Sequence, residues 1–323
     1  MRVVQVRQFG LPEVLHLEES EEPQAGPGQV VIAVEAAGVS FGDTSIRAGK
    51  YPFPLPFVPG WAVGGQITKV GPDGDLTLVG TPVVALTKAG GGYGEQVVAD
   101  VTNVFFLPKE LSVEQALGVF LAGGTAISIL KTAQIEPGET VLITAAAGNT
   151  GSQLVQLAKA AGAGTVIGAA GGKEKLAVVS RLGADVAIDY RENDWVERVR
   201  NVTGGKGADA VIDAVGGTIG HQAFEVTANG HGRLVVYGSS SGTEATIRMH
   251  ELAMRGITVI GALGIAMTKT EQETRANMEA ALQEAAAGRL VAVIGQRYPL
   301  ERAADAHAAI EARQAIGMVL LIP

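Results

Sequence analysis

The sequence predicts an α/β protein with two domains, one built on a doubly wound parallel sheet and one made mainly of antiparallel β-strands. Its 323 residues exceed what one hydrophobic core usually organises, which favours two domains. The first 120 residues contain short Val- and Gly-rich stretches separated by turn residues. From residue 140, strand patterns alternate with helical patterns, as in a parallel sheet with crossover helices.

The antiparallel part begins near the N-terminus. Its predicted strands are residues 3–8, 30–37, 62–70, 81–87 and 94–99. An acidic run at residues 18–22 is followed by Pro23 and then by Gly26-Pro27-Gly28. A solvated connection between strands is the favoured interpretation of this run, and an acidic interaction site is the alternative.

The parallel part occupies the centre of the chain. Six strands are predicted, at residues 140–144, 165–169, 186–189, 208–213, 233–237 and 257–263. Between them, apolar residues recur at helical spacing, as at Trp195, Val199 and Val202. Two helices at 269–287 and 300–313 and a strand at 318–322 are expected to pack on the first domain. We therefore assign residues 1–121 and 264–323 to one domain and residues 122–263 to the other.

Composition argues against several classes of function. The net charge of −8 opposes binding to a phosphate backbone, so no nucleic acid partner is expected. The sequence contains no cysteine, which excludes disulfides and thiolate ligands. The apolar runs at 140–147 and 257–263 are shorter than the roughly 20 residues that span a bilayer, and the first residues lead directly into a strand pattern. We expect a cytoplasmic protein without a membrane span.

A turn rich in small residues gives the strongest chemical signal. Residues 140–151 form an apolar strand, a turn and the start of a helical pattern, with Ala146, Gly148 and Gly151 at the three small-residue positions of a dinucleotide-binding fingerprint. Small residues let the backbone approach a pyrophosphate, and a helix starting near Asn149-Thr150 directs N–H groups at the phosphate charge. With the strands that follow, this turn predicts a Rossmann domain that binds a dinucleotide.

The choice of cofactor depends on the end of the second strand of that domain. About 20 residues past the fingerprint, an Asp or Glu would bond the ribose 2′-hydroxyl of NAD. The sequence has Ala169-Ala170-Gly171-Gly172-Lys173 there, without an acid. The position has room for a 2′-phosphate, to which Lys173 and Lys175 can supply positive charge, so NADPH is the predicted cofactor. Alternatively, both lysines are ordinary surface residues at a helix start.

The whole chain resembles the zeta-crystallin-like quinone oxidoreductases of the medium-chain dehydrogenase/reductase superfamily. Residues 38–52 resemble the substrate-side motif of that family, and residues 145–151 resemble its Ala-Ala-Ala-Gly-Gly-Val-Gly turn. The resemblance implies a GroES-like catalytic domain accompanied by a Rossmann NADPH-binding domain. It also implies a homodimer, which the sheet edge at 257–263 would form.

The resemblance implies roles for individual residues. Gly171, Lys175 and Tyr190 fall where the family grips the 2′-phosphate of NADPH, and Arg313 matches a further phosphate-binding arginine. The segment 237–242 and Thr125 resemble parts of the family that face the cofactor. The predicted cofactor-binding residues are Ala146, Gly148, Asn149, Thr150, Gly151, Gly171, Lys175, Tyr190, Gly238, Ser239, Ser240 and Arg313.

The positions that hold catalytic zinc in medium-chain alcohol dehydrogenases carry other residues here. Gly38-Val39-Ser40 stands where those enzymes have a Cys, and Gly60-Trp61-Ala62 stands in place of their Gly-His-Glu. Tetrahedral zinc needs three or four converging ligands, and the five histidines are scattered along the chain. His307 falls on the apolar side of its helix and is predicted to be a core residue. A zinc-free protein without a metal site is therefore expected.

The substrate side departs from the family pattern at three positions. Ser40 replaces an Asn, Ser45 replaces a Tyr, and Trp61 replaces a small or polar residue. We expect hydride transfer from NADPH to a quinone. Reduction of an enone or enoyl double bond, and NADPH binding without turnover as in a crystallin-like protein, are the alternatives.

The candidate catalytic residues are Ser40, Tyr51 and Thr125, as hydrogen-bonding groups for the substrate oxygen or the nicotinamide amide. Asp43 is expected to brace its loop rather than act as an acid. Four aromatic residues of one Pro-rich loop could line an apolar pocket for a flat quinone or enone, or could pack together as a structural loop. These residues are Tyr51, Phe53, Phe57 and Trp61.

Overall fold

The computed structural model describes residues 1–72 and 74–323. Its strands are β1 (Arg2–Val6), β2 (Leu15–Glu19), β3 (Gln29–Val39), β4 (Ala62–Val70), β5 (Pro82–Leu86), β6 (Gln96–Asp100), β7 (Val104–Phe106), β8 (Thr140–Ile143), β9 (Thr165–Ala170), β10 (Val186–Asp189), β11 (Ala210–Asp213), β12 (Arg233–Val236), β13 (Thr258–Gly261), β14 (Ile294–Pro299) and β15 (Met318–Ile322). Its α-helices are α1 (Phe41–Arg47), α2 (Val113–Ala133), α3 (Asn149–Ala160), α4 (Lys173–Arg181), α5 (Trp195–Val202), α6 (Gly217–Glu225), α7 (Met249–Arg255), α8 (Ala262–Met267), α9 (Glu271–Ala286) and α10 (Ala303–Glu311).

The chain divides into two compact units. The first unit comprises Met1–Leu121, Leu282–Gly288 and Ala292–Pro323, and the second comprises Ala122–Ala281 and Arg289–Val291. The division at residues 121 and 122 falls where the sequence placed it. The second predicted boundary, after residue 263, differs from the structure, which assigns residues 264–281 to the second unit.

The packing of α9 explains this difference. Lys131 Nζ in α2 donates a hydrogen bond to Asn277 Oδ1 in α9 at 2.7 Å. A Cβ atom on Gly124 of α2 would lie 2.8 Å from Met278 Cγ and 3.1 Å from Met278 Cα, so the two helices approach closely there. The helical pattern of 269–287 predicts a helix, but its partner depends on a glycine in a distant segment.

The second unit contains a six-stranded sheet. Its strand order is β10-β9-β8-β11-β12-β13, and every pair is parallel. The six predicted strands are confirmed, with ends shifted by no more than two residues, and β13 is shorter than predicted because α8 begins at Ala262. Strand residues alternate between two cores, so that Val141 and Ile143 pack on one face and Leu142 packs on the other. The order reverses between β8 and β11, which is where doubly wound sheets bind ligands.

The first unit contains a mainly antiparallel sheet of seven strands. Its order is β14-β15-β3-β4-β5-β7, with β6 also paired to β3, and only β14 and β15 run parallel. The predicted closing strand is confirmed as β15, which pairs with β3 through Val319 and Val39. Strands β2, β7 and β14 and helices α1, α2, α7 and α8 were not predicted from the sequence.

The acidic run of the first unit is partly a strand. Glu18 and Glu19 belong to β2, which pairs with β1, so only residues 20–22 of the run lie in a connection. Glu18 Oε2 lies 2.6 Å from Arg7 Nη2, and Glu22 Oε2 lies 2.9 Å from Lys69 Nζ. Two of the four glutamates in this run thus form exposed ion pairs with basic residues of the same unit.

Helix α2 is longer than either apolar run considered in the sequence. By length and composition it could cross a membrane, with a mean hydropathy of 1.5 over its most apolar window, and 61% of that window is buried. A buried core helix passes the same test. Burial within the fold therefore accounts for its apolar composition.

Candidate active site

The turn after β8 brings backbone and helix into close contact. Ala146 N donates to Ala169 O of β9 at 3.0 Å, and Gly148 N donates to Ala145 O at 2.9 Å. A Cβ atom on Gly151 would lie 2.2 Å from Ala145 O, which is a backbone atom that cannot move away alone. Gly151 is therefore required by the packing of α3 on the turn, as the fingerprint implies.

Helix α3 begins at this turn. Gly148 is its N-cap residue and provides no side-chain cap, and Asn149 and Thr150 start the first turn of the helix. The first N–H groups of a helix have no acceptor within the helix, and they carry the positive end of its dipole. The predicted residues at 146–151 thus form a place suited to an anionic group.

Two of the predicted 2′-phosphate residues, Gly171 and Tyr190, lie together at the ends of β9 and β10. A Cβ atom on Gly171 would lie 3.4 Å from Tyr190 Cε2, so the tyrosine ring flanks this glycine. Lys175 lies in the first turn of α4, which starts two residues after Gly171. Arg313 belongs to the first unit, where it follows α10 with a positive φ of 57°.

A buried carboxylate organises the loop that follows β11 and joins it to the end of β8. Asp213 accepts hydrogen bonds from Thr144 Oγ1 at 2.6 Å, Val215 N at 3.1 Å and Gly216 N at 2.9 Å. Ser240 N in turn donates to Ala214 O at 2.9 Å. The predicted residues Gly238, Ser239 and Ser240 therefore lie at the same edge of the sheet as the glycine turn. Sequence reasoning did not select Asp213, although an acid ending a buried strand was a usable signal.

A cavity of about 100 Å³ lies in the second unit beside Thr125. Its walls are mainly apolar, and its polar groups come from Thr125, Ser128, Tyr237, Lys269 and Asn277 among others. Burial raises the pKa of Tyr237, so its phenol stays protonated at neutral pH. An apolar space with a few hydrogen-bonding groups is the usual form of a small-molecule subsite.

Ser40 caps helix α1 in the first unit. Its Oγ accepts from Asp43 N at 3.3 Å and donates to Asp43 Oδ2, which also accepts from Ser40 N at 2.7 Å. The two residues form a capping box, which confirms that Asp43 braces this segment. The Asp43 side chain is buried, and burial raises its pKa to about 6.

A second buried polar group lies in the same unit. The fully buried Arg47 donates to Gly10 O and forms an ion pair with Glu311. His307 is also fully buried, which confirms the prediction of a core histidine, and its Nε2 lies 3.0 Å from Tyr93 Oη. Burial, assisted by the charge of Arg47, lowers the pKa of His307 to about 3, so the imidazole stays neutral. Sequence reasoning missed Arg47 and Glu311.

The aromatic loop is largely a packed cluster. The ring centroids of Phe53 and Phe57 are 4.7 Å apart, and those of Phe53 and Trp61 are 5.6 Å apart, in edge-to-face arrangements. The structural interpretation of the loop thus accounts for these three rings. Tyr51 is 57% exposed and is available at the surface.

Within residues 1–72 and 74–323, no group of three or more His, Cys, Asp or Glu side chains has a geometry that could hold a metal ion. The Ser40 hydroxyl is bonded to Asp43, and the Trp61 ring packs on Phe53.

Two family models match the chain. The alcohol dehydrogenase GroES-like domain matches residues 26–109, and the zinc-binding dehydrogenase domain matches residues 150–286. Together these matches cover parts of both units.

Individual proteins match nearly the whole chain. Quinone oxidoreductase 1 of Escherichia coli is 34% identical over 327 residues, covering 99% of both chains, and 2-haloacrylate reductase of a Burkholderia species is 33% identical, covering 98% of both. The crystal structure of Escherichia coli quinone oxidoreductase complexed with NADPH has a TM-score of 0.91 at 33% identity, covering 100% of both chains. A structure described as an NAD-dependent alcohol dehydrogenase has a TM-score of 0.90 at 32% identity, covering 100% of both chains. The chain belongs to the quinone oxidoreductases of the medium-chain dehydrogenase/reductase superfamily.

Proposed function

We propose that this chain is an NADPH-dependent oxidoreductase that reduces a quinone without zinc. The observation that carries the proposal is the carboxyl edge of the second unit's sheet. There, the turn at 145–151 follows β8, Gly171 and Tyr190 follow β9 and β10, and the loop 238–240 follows β12, all at one edge of the parallel sheet. The proposal is supported by the NADPH complex of the Escherichia coli relative.

The residues at this edge fit NADPH. The start of α3 suits the pyrophosphate because its first N–H groups face out of the helix and Gly148 adds no side chain. Gly171 and Tyr190 would hold the 2′-phosphate ribose, with Lys175 supplying positive charge and Arg313 as a further predicted contact. When bound, the cofactor supplies the hydride. The protein's own residues therefore bind and orient the cofactor and the acceptor, and they exclude water from the site.

Zinc independence rests on the residues at the two zinc-ligand positions. Ser40 is committed to the capping box of α1, and Trp61 to the aromatic cluster. A chain without cysteine has no thiolate to offer in their place. We expect full activity after dialysis against a chelator, and a loss of activity that added zinc restores would contradict this.

The acceptor is proposed to be a flat, electron-poor molecule. Thr125 lines the cavity of the second unit, whereas Ser40 and Tyr51 present exposed polar groups on the first unit. These are the groups that we propose for hydrogen bonding to the acceptor or to the nicotinamide amide, with the Ser40 oxygen only as an acceptor, because its proton is donated to Asp43. A screen of simple quinones, following NADPH absorbance, tests the proposal, and no oxidation at any accessible quinone concentration would overturn it.

Reduction of an activated carbon–carbon double bond is the second candidate. It is favoured by the match to 2-haloacrylate reductase and by Lys269 at the cavity, since an ammonium group attracts a carboxylate. The same screen should include enones and unsaturated acids, with product analysis. A saturated carbon chain would support this candidate, whereas tight NADPH binding without turnover of any acceptor would indicate a crystallin-like binding protein.

Cofactor preference provides a separate test. We expect NADPH to bind at least about tenfold more tightly than NADH, a difference of about 1.4 kcal/mol, and Lys175→Ala to reduce this preference. Lys206→Ala removes a similar charge from an exposed loop and should leave the preference unchanged. Titration of NADPH and NADH by fluorescence measures both. Equal affinities in the wild type would contradict the assignment of NADPH.

A homodimer is proposed through the sheet edge of the second unit. Strand β13 is the edge strand, and nearby elements expose large apolar side chains, namely Met249, Met254, Leu263 and Met267. A second copy that pairs with β13 would cover such a surface. Light scattering tests the assembly, with a monomer at micromolar concentration as the opposing result. We also propose a cytoplasmic location, to be tested by cell fractionation.

A further inference from the structure

An acid does reach the end of β9, although the sequence has none at that position. Strand β10 lies next to β9 in parallel register, with Asp189 opposite Ala170. The Asp189 side chain turns towards the following glycines, and its Oδ2 accepts a hydrogen bond from Gly172 N at 2.8 Å. A carboxylate therefore stands beside Gly171, at the place where a carboxylate would select NAD.

Arg191 covers this carboxylate. Its Nε lies 3.0 Å from Asp189 Oδ1 and its Nη2 lies 2.8 Å from Asp189 Oδ2, and Arg191 N also donates to Oδ1 at 3.0 Å. Such a two-pronged pair is stronger and better oriented than a single contact. These hydrogen bonds and the positive charge lower the pKa of Asp189 to about 2, so the carboxylate is ionised at neutral pH and Arg191 balances its charge.

The two glycines make room for the guanidinium. A Cβ atom on Gly171 would lie 3.1 Å from Arg191 Cδ, and one on Gly172 would lie 2.9 Å from Arg191 Nη2. Gly172 also has a positive φ of 98°, which favours glycine. The arginine thus lies against the Gly171-Gly172 backbone. Its side chain is 62% exposed, whereas that of Asp189 is 9% exposed, so the arginine is the member of the pair that meets solvent or a ligand.

The charges of this pair have opposite consequences for the two cofactors. An uncovered Asp189 would repel a 2′-phosphate and would accept a hydrogen bond from a 2′-hydroxyl. With Arg191 in place, the negative charge of the carboxylate is balanced by the guanidinium. The exposed guanidinium is also a group that binds phosphate well. We propose that Arg191 is a specificity-determining residue that selects NADPH over NADH, both by covering Asp189 and by contacting the 2′-phosphate. This inference rests on the proposed NADPH-dependent function.

The test uses nucleotide fragments, so that it does not depend on turnover. Binding of 2′,5′-ADP and of 5′-AMP to the full chain is measured by calorimetry for the wild type and for Arg191→Gln. We expect Arg191→Gln to weaken 2′,5′-ADP at least about tenfold and to change 5′-AMP by less than about twofold. Equal losses for both fragments, or no loss for either, would overturn the proposal.

A second variant separates the covering of Asp189 from direct contact. In Asp189→Asn/Arg191→Gln the repelling charge is gone, so we expect at least about threefold of the lost 2′,5′-ADP affinity to return. No recovery would overturn the covering role. Arg191→Lys keeps the charge but loses the two-pronged contact, so we expect a loss of 2′,5′-ADP affinity of at least about threefold that is smaller than in Arg191→Gln. An unchanged 2′,5′-ADP affinity would overturn the role of the guanidinium, and this variant keeps the proposal testable if Arg191→Gln does not fold. Arg198→Gln, an exposed arginine on α5, is the control for loss of charge alone.

Failure of this inference can be told apart from failure of the proposed function. If the wild type binds neither fragment, the NADPH assignment itself fails and the inference fails with it. If the wild type prefers 2′,5′-ADP and Arg191→Gln keeps that preference, only the role of Arg191 is wrong. The ratio of the KM for NADH to the KM for NADPH should fall in the same order as the 2′,5′-ADP affinity. It should be highest in the wild type, lower in Asp189→Asn/Arg191→Gln and lowest in Arg191→Gln.

Discussion

The carboxyl edge of the second unit and the buried polar group of the first unit both concentrate hydrogen-bonding atoms, but they are built differently. At the edge of the second unit, backbone atoms and glycines define the geometry, as in the contact between Gly151 and Ala145 O. In the first unit, charged side chains from distant segments meet, as the buried Arg47 and the partly exposed Glu311 do. A site built from backbone atoms and glycines can be recognised as a short sequence motif. A network of side chains depends on the completed fold.

Glu311→Gln should have the largest effect on stability, because it tests the side-chain network directly. The substitution leaves the fully buried Arg47 without its carboxylate, and breaking such a pair costs about 3 to 5 kcal/mol. Chemical denaturation followed by circular dichroism measures the loss. The control is Glu301→Gln. The Glu301 side chain is 51% exposed and its Oε2 lies 3.9 Å from Arg2 Nη1, which is a long contact, so the substitution should cost less than about 1 kcal/mol. Similar losses for both variants would show that burial of Arg47 is not what matters.

Gly151→Ala tests the backbone-defined edge. The added Cβ would lie 2.2 Å from Ala145 O, so the turn and α3 must separate, at a cost of about 3 kcal/mol. In Gly148→Ala the corresponding distance is 3.2 Å and φ is −74°, which an alanine tolerates, so the cost should be about 1 kcal/mol or less. Thermal denaturation of both variants measures the two losses of stability. If Gly148→Ala were the more damaging change to the free protein, the role assigned to Gly151 would be wrong.

Asp43→Asn should change how stability depends on pH. The pKa of Asp43 rises from an ordinary 3.8 to about 6 in the fold, so the native state holds this proton more tightly than the unfolded chain does. The free energy of unfolding therefore receives a contribution that falls by up to about 3 kcal/mol between pH 4 and pH 6. That fall should be absent from Asp43→Asn, whose amide can still accept from Ser40 N.

Denaturation of the wild type and Asp43→Asn at several pH values isolates this contribution. The difference is needed because His307, with its lowered pKa, acts in the opposite direction. Asp305→Asn, an exposed acid paired with Arg302, serves as the control and should follow the wild type. Parallel pH profiles for the wild type and Asp43→Asn would mean that burial of Asp43 does not carry this linkage.

Much of the second unit could be predicted from the sequence because its signals are local. Six strands, the turn after β8 and the start of α3 each depend on residues close together in the chain. Fewer elements of the first unit could be predicted from local sequence patterns. Helix α1 is only seven residues long and was missed, although Ser40 and Asp43 carry the spacing of a capping box.

Other features could not be predicted from local patterns. The placement of residues 264–281 depends on Met278 meeting Gly124, and the environment of Arg47 depends on Glu311. The acid expected for cofactor selection was sought on β9, but the structure supplies Asp189 from the adjacent strand together with its covering arginine. A rule based on distance along the chain cannot detect a side chain that arrives from a neighbouring strand.

The ion pair between Arg47 and Glu311 also bears on the order in which the chain folds. Its members are 264 positions apart, and β15 joins β3 across a similar interval. During synthesis, the second unit has all of its residues available before Glu311 emerges from the ribosome. The unit whose synthesis begins first must therefore wait longest to bury its arginine. Until then, the exposed edge of β3 is a surface that chaperones or neighbouring chains can reach.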